Sequence, residues 1–209
     1  LGHEGAGTVV GGPWDGKRVT INPLVTCGTC RSCRAGRDNL CSTRQIISMP
    51  PREGAFAQYV TMPERNLVEV PEGFDLERAA LAEPVAVSWH AVRLGLEAAP
   101  EDMRETALVI GGGAIGVAAA LSLRAQGVTG VTLVDPNPIR RSYLGLDAGY
   151  AVERPEEAEG RQFDLVVDAV GYDATRAAAS AATHPGGVVL HIGLGGGSAG
   201  LDIRRMTLQ

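Results

Sequence analysis

The pattern of apolar and polar positions changes character near residue 100. Before it, short β-type segments are separated by Gly and Pro. Thr8-Val9-Val10, Arg18-Val19-Thr20-Ile21, Ala55-Phe56-Ala57-Gln58-Tyr59-Val60 and Leu67-Val68-Glu69-Val70 each read as strands. Asp75 is suited to cap a short helix over 76–81, and Pro84 suits the first turn of a longer helix reaching about Glu97. After Pro100 and the acidic Glu101-Asp102, apolar strands alternate with helices. Strands are predicted over 106–110, 131–134, 164–170 and 187–192. A helix rich in Ala and Leu is predicted over 114–126, another opens at Asn137-Pro138, and an Ala-rich helix lies between the last two strands. Apolar strands joined by helices imply a parallel sheet covered on both faces, so the fold class is α/β. Residues 193–200 are glycine-rich, either a flexible tail or a backbone platform beside a ligand.

Composition narrows the function classes without choosing among them. Of 209 residues, 44% are hydrophobic and 21% charged, as in ordinary globular chains, and the length allows one large domain or two small ones. A net charge of −5 argues against a general nucleic-acid binder, which needs a basic surface. No apolar run reaches the roughly 18 residues of a membrane helix, and no signal peptide is visible. Neither a nucleic acid nor a membrane is therefore an expected partner. The chain opens with Leu1 directly before Gly2-His3-Glu4, in the middle of chemistry-bearing residues, and so reads as a fragment.

All four cysteines fall in one stretch: Cys27, Cys30 and Cys33, then Cys41 after seven further residues. Four thiolates so close together suit a tetrahedral cage around one soft divalent ion, with Zn²⁺ leading. Such a cage has no open position, so the metal would be structural. Arg31, Arg34, Arg37 and Arg44 would offset its negative charge. Unliganded thiols are one alternative. An iron–sulfur cluster is another, though the last spacing exceeds the tight ferredoxin run and no proline follows Cys41. Cysteines used as ligands suit a reducing cytoplasm.

Gly111-Gly112-Gly113-Ala114-Ile115-Gly116 fits G-x-G-x-x-G, directly after a strand and opening a helix. The first glycine allows a tight turn, the second lets a pyrophosphate reach the backbone, and the third lets helix and strand pack closely. The helix N-terminus offers free N–H groups to the phosphates. The next strand ends in Asp135, nineteen residues after Gly116, placed to accept hydrogen bonds from an adenosine ribose. Its charge would repel the 2′-phosphate of NADP, so NAD is favoured, with Arg140 as the complication because an arginine here can accommodate that phosphate.

His3-Glu4 offers an imidazole beside a carboxylate, and Glu83-Pro84 places a further carboxylate at a helix start. On residues alone, a histidine near a terminus is more often incidental than a ligand. Together, however, Gly2 to Gly7, the cysteine lobe, Ala82-Glu83-Pro84, Gly111 to Gly116 with Asp135, and Val166-Val167-Asp168-Ala169-Val170-Gly171 stand in an order that resembles the zinc-dependent medium-chain dehydrogenase/reductase family, the alcohol and polyol dehydrogenases. The text from Glu83 to Val92 is similar to its sorbitol and butanediol branch.

The resemblance implies a partial GroES-like β-barrel catalytic domain over 1–84, with a structural-zinc lobe at about 27–45, and a Rossmann NAD-binding domain over 85–209, with the active site between the domains. It implies His3 and Glu83 as catalytic-zinc ligands, Glu4 beside them as a possible exchanging ligand, and Cys27, Cys30, Cys33 and Cys41 on the structural zinc. Cofactor contacts would come from Gly111, Gly113, Ala114, Ile115, Gly116, Asp135 and Arg140, with Gly193 and Leu194 flanking the nicotinamide through their backbone. The implied reaction passes a hydride from a polyol, diol or secondary alcohol to NAD, in a homo-oligomer of dimer or tetramer type. The family's first catalytic-zinc cysteine lies upstream of Gly-His-Glu, and its Rossmann sheet continues past Gln209, so these 209 residues alone are not expected to turn over substrate. His90 reads as a packed helix residue, His184 as a loop residue and His191 as structural in a buried strand, with Trp14, Trp89 and the tyrosines as packing. A non-catalytic NAD-binding protein that keeps a structural zinc is the competing reading. A zinc-ribbon nucleic-acid module is weakened by the acidic charge.

Overall fold

Arg18–Ile21 (β2) forms the strand that its alternation predicts, and it organises the first part of the chain. It pairs antiparallel with Ala6–Thr8 (β1) on one side and Leu67–Glu69 (β5) on the other, in the order β1-β2-β5. The first strand sits two residues earlier than predicted. Gly11 and Gly12, both at positive φ, make the turn into β2 and leave Val10 exposed beyond the ladder. A two-residue ladder joins Leu24–Val25 (β3) to Gln45–Ile46 (β4) and closes the base of the cysteine lobe. Inside that lobe, Arg31–Arg34 (α1) is a single helical turn. The buried Asn66 amide donates to the carbonyls of Asn22 and Leu24, tying the start of β5 to the entry of the lobe.

The strand predicted over 55–60 is absent. Ala55 N–H bonds Gly2 O and Phe56 N–H bonds Leu1 O, but no ladder extends to residue 60, and Phe56 and Tyr59 are exposed. Alternation alone does not make a strand where no neighbouring strand runs alongside it.

The structure, a computed structural model, describes residues 1–146 and 149–196, and its contacts divide the chain into units Leu1–Glu83 and Pro84–Gln209. Asp75 caps Leu76–Ala79 (α2) by accepting from Glu77 N–H. Ala82–Ala98 (α3) follows, with Pro84 in its first turn, where a missing N–H costs no helical bond. Ser88, Val92 and Gly95 lie on its buried face, at helical spacing.

The second unit is a five-stranded parallel sheet in the order β10-β9-β6-β7-β8. Its strands are Thr106–Ile110 (β6), Gly130–Val134 (β7), Ala151–Glu153 (β8), Phe163–Asp168 (β9) and Thr183–His191 (β10). Ala114–Ala125 (α4), Pro138–Leu144 (α5) and Asp173–Ala182 (α6) connect them. One core gathers Val92, Val109, Ala119, Leu123, Leu133, Leu165 and Val167; the other gathers Leu108, Ile110, Val134, Val166 and Ala179. Alternate residues of each strand thus face opposite layers, the doubly wound arrangement. From β6 the chain first builds β7 and β8 on one side, then β9 and β10 on the other. The order therefore reverses between β6 and β9, the place where such sheets take ligands at their strand ends. Tyr59, Tyr143 and Tyr172 are exposed rather than packed, whereas Tyr150 packs on the first core. Among the described residues, no helix is long and apolar enough to cross a membrane.

Leu165 is fully buried in β9, flanked by β6 and β10. Leu165→Ala is expected to lower the unfolding free energy by about 3 kcal/mol, read in a urea titration.

Candidate metal centres and dinucleotide site

The cysteine lobe brings its sulfurs to the spacing a metal requires. Cys27, Cys30, Cys33 and Cys41 each offer a Sγ atom, all within 4.8 Å of one another. Individual separations are 3.4 Å for Cys30–Cys33, 3.6 Å for Cys41–Cys27 and 4.0 Å for Cys27–Cys33. Four sulfurs about 2.3 Å from one zinc ion stand about 3.8 Å apart at the corners of a tetrahedron. The lobe therefore fits zinc, and these lengths are far from the roughly 2.05 Å of a disulfide.

Main-chain N–H groups point at the sulfurs: Thr29 and Cys30 donate to Cys27, Cys33 to Cys30, and Cys27 to Cys41. The Thr29 N–H, helped by the Thr29 side chain and Cys30 N–H, lowers the Cys27 thiol to about 5. The Cys27 N–H and the Thr43 hydroxyl lower Cys41. Desolvation, followed by the Cys30 side chain, pushes Cys33 up to about 11. Charge thus settles first on Cys27, and a bound cation would displace the proton that Cys33 keeps. The arginines act through the backbone: Arg34 Nε donates to Thr29 O at 2.6 Å and Arg44 Nη1 to Cys41 O at 3.2 Å, while Arg31 and Arg37 are exposed.

A second donor cluster lies in the same unit. His3, Glu4 and Glu83 present ligand atoms within 4.8 Å of one another, although eighty residues separate the ends of the set. His3 Nε2 is 3.9 Å from Glu83 Oε1. Two ligands about 2.1 Å from one zinc ion stand about 3.4 Å apart at tetrahedral angles and at most about 4.2 Å, so both reach a common ion. Burial raises the Glu83 pKa, with the His3 charge opposing and Glu4 adding to the rise. Any cation held there is therefore released more readily as pH falls. Ser48 faces the other imidazole nitrogen, its Oγ 3.4 Å from His3 Nδ1, and its backbone is held at φ 83. The sequence gives Ser48 no signal, because it meets His3 only through the fold.

The glycine turn after β6 constrains two of its glycines and leaves space beside a third. Gly111 has φ +99, and a Cβ on it would lie 2.5 Å from Val170 Cγ2. A Cβ on Gly113 would meet nothing within 4 Å, so the backbone ahead of α4 is open to a ligand. A Cβ on Gly116 would sit 1.7 Å from Gly111 O, closer than any side chain can come. Ala114 and Ile115 form the first turn of α4, whose leading N–H groups have no helical acceptor. This cradle and its donors fit a pyrophosphate.

At the end of β7 the Asp135 carboxylate is buried and fully engaged. Oδ2 accepts from Gly112 N–H at 2.7 Å and from Arg140 Nη1 at 2.8 Å, and Oδ1 accepts from Asn137 N–H at 2.8 Å. Burial works to raise its pKa, but the Arg140 hydrogen bond and the two N–H groups outweigh it and hold the carboxyl below its ordinary value. Gly193 and Leu194 follow β10, with Gly193 N–H bonded to Asp168 O. Asp168, which carries no role in the sequence reading, is wholly buried and accepts from Val170 and Gly171 N–H through Oδ1. Its signal is the one that marks Asp135: a lone acid ending an apolar strand. His90 is not packed but lies exposed on α3 beside Arg93, and His184 is not in a loop but is an exposed residue of β10, which begins at Thr183.

Cys41 contributes the most deeply buried of the sulfurs. Cys41→Ser is expected to release the lobe's zinc, measured with a colorimetric chelator, while leaving dinucleotide binding unchanged.

Residues 1–72 match the alcohol dehydrogenase GroES-like domain family. The chain is 35% identical to a sorbitol dehydrogenase of Arabidopsis thaliana, the match covering 94% of this chain and 58% of the relative. It is 33% identical to a D-altritol 5-dehydrogenase of Agrobacterium fabrum, over 92% of this chain and 60% of the relative. Among solved structures, a zinc-binding dehydrogenase of Sinorhizobium meliloti bound to NADP superposes with a TM-score of 0.82 at 30% identity, covering 93% of this chain and 60% of that one. L-idonate 5-dehydrogenase of Escherichia coli also gives 0.82, at 26% identity over 100% and 63%. The chain spans about three fifths of the length of the relatives it matches. A GroES-like first unit, a doubly wound parallel sheet and these relatives agree: the chain belongs to the medium-chain dehydrogenase/reductase family and is similar to its zinc-binding and polyol dehydrogenases.

Proposed function

We propose that the protein is a zinc-dependent oxidoreductase that transfers a hydride from a polyol, diol or secondary alcohol to NAD. Residues 1–84 form the catalytic part and 85–209 the nucleotide-binding part. The observation that carries this reading is the convergence of His3, Glu4 and Glu83 within 4.8 Å, in a chain whose sheet also bears an open glycine turn at its reversal point. A protein that had abandoned metal chemistry would have no need to keep an imidazole and two carboxylates together. The polyol class is supported by relatives that act on sorbitol and D-altritol.

In this reading His3 gives its Nε2 to the metal while Ser48 faces Nδ1, and Glu83 with Glu4 supplies negative charge. Zinc, when bound, acts as a Lewis acid that makes an alcohol proton acidic near neutral pH. Gly111 to Gly116 hold the pyrophosphate, Asp135 takes the adenosine ribose hydroxyls, and the backbone at Gly193 and Leu194 flanks the nicotinamide. The Cys27–Cys41 lobe, with four sulfurs to close the shell, would hold a structural zinc only. Ligand thiols of this kind support a cytoplasmic setting.

NAD is favoured over NADP because a buried Asp135 carboxylate meets the position of the 2′-phosphate. Arg140 shields that charge in part, being paired to it and half-exposed. Arg140→Ala is therefore expected to raise the preference for NAD about tenfold, measured as the ratio of kcat/KM for the two cofactors. A natural gene product that reduces NADP faster than NAD would contradict the assignment.

The decisive test is substrate oxidation by the natural gene product with zinc analysis alongside. His3→Ala and Glu83→Ala are each expected to remove the zinc that Cys41→Ser leaves behind. Each should lower polyol oxidation by at least about a hundredfold with NADH binding retained. Zinc at the cysteines alone, with no turnover of any polyol or diol, would favour a non-catalytic NAD-binding protein instead.

A further inference from the structure

His191 and Asp168 are direct register partners at the C-terminal ends of β10 and β9. Both point to the sheet face that carries Val166 and Val189, as the two-residue period of a strand requires. Asp168 is wholly buried, and His191 Nδ1 stands 3.6 Å from its Oδ2. Each of these two atoms is buried and has no hydrogen-bond partner among the described residues. The separation is about 0.6 Å longer than an ordinary N–H···O bond. Among the described residues His191 Nδ1 is the ion-pair partner within reach of this buried oxygen, which therefore depends on it.

The rest of Asp168 holds two turns at once. Its Oδ1 accepts from Val170 N–H at 3.0 Å and Gly171 N–H at 2.8 Å, while its main-chain oxygen accepts from Ile192 at 3.0 Å and Gly193 at 2.9 Å. The turns then bond each other, Gly195 N–H to Val170 O and Gly196 N–H to Gly171 O, both at 2.9 Å. They fit so closely that a Cβ on Gly171 would lie 2.1 Å from Gly193 O. A doubly wound sheet takes its two nucleotide halves on either side of the reversal point. Asp135 marks the adenosine side at β7, so the turns after β9 and β10 meet the other half.

We propose that His191 is a positioning residue for the nicotinamide half of the cofactor: through Asp168 it fixes the paired turns after β9 and β10. The inference rests on the dinucleotide reading above and deepens it. Without His191 the buried carboxylate oxygen must turn toward another partner, which loosens its grip on the Val170 and Gly171 N–H groups.

The test compares two ligands that share the adenosine half. NADH and ADP-ribose are titrated against the unmodified protein, His191→Leu and His191→Asn, the last placing an amide donor near the position of Nδ1. His191→Leu is expected to weaken NADH about tenfold and ADP-ribose less than about twofold, with His191→Asn restoring most of the NADH affinity. Equal losses for both ligands, no loss for either, or no rescue by asparagine would overturn the assignment. Retained ADP-ribose binding shows that the leucine variant is folded. If the unmodified protein binds neither ligand, the dinucleotide reading itself fails, an outcome separate from the others.

Discussion

A carboxylate taken out of water at the end of a parallel strand must be repaid by donors, and in this sheet the donors are the N–H groups of glycine-containing turns. Asp135 at the end of β7 takes Gly112 N–H, and Asp168, the last residue of β9, takes Val170 and Gly171 N–H. Isolated burial of either charge would cost several kcal/mol or force a proton onto it. The turns thereby lose their freedom to rearrange, and their remaining features follow. Gly116 must be bare because Gly111 O is fixed against it, and Gly171 must be bare because Gly193 O is fixed against it. The same device stands on both sides of the reversal point, once for each half of the sheet.

That repetition explains which parts of the molecule were legible from residues alone. Strand β6, the turn after it and helix α4 combine an apolar run, three spaced glycines and a helical Ala/Leu pattern, and their bounds agree with the prediction to within a residue. Asn137-Pro138 is equally plain, since the side chain accepts from Ile139 and Arg140 N–H and the proline opens α5. All of these signals are local. The failures are non-local: Ala55 to Val60 alternates well but has no ladder along its length, and β8 is a three-residue edge strand too short for any period to register. Strand β10 begins four residues early because Thr183 pairs with Phe163 before an irregularity at His184 to Gly187. The approach of His3 to Glu83 belongs to the same class. Each residue was identifiable as a donor, yet only the folded chain puts 3.9 Å between them.

The first unit holds two donor sets of opposite chemical character, and their construction differs accordingly. The sulfur set is local in sequence, built on a loop and one helical turn, with backbone N–H groups turned toward three of its four sulfurs. Such a shell suits a soft ion that never has to exchange ligands. The imidazole and carboxylate set is assembled from distant positions and is only partly buried, His3 at 34% and Glu83 at 18% side-chain exposure. Among the described residues it gathers one imidazole and two carboxylates, harder donors than the sulfurs of the lobe. Ser48, strained at positive φ, stands against the imidazole nitrogen that points away from Glu83. A side chain in that backbone conformation costs of order 1–3 kcal/mol, so its presence beside a ligand argues that orientation of the ring is worth the strain.

Asp135 has a further constraint that its position alone does not reveal. Three donors already occupy its two oxygens, and two of them, Gly112 and Asn137, are main-chain groups locked into the turn and the helix cap. Only Arg140 is on a side chain free to swing, with 48% of that side chain exposed. A ribose hydroxyl arriving at Asp135 must therefore share Oδ2 with the guanidinium or displace it. Because the Asp135 carboxylate is buried, the incoming hydroxyls must replace the bond that the guanidinium gives up. The Gly112 and Asn137 N–H groups keep their bonds to the carboxylate in either case. On the proposed dinucleotide reading, Arg140 would serve as a counter-ion on a movable side chain, while the main-chain donors keep the Asp135 acceptor oriented.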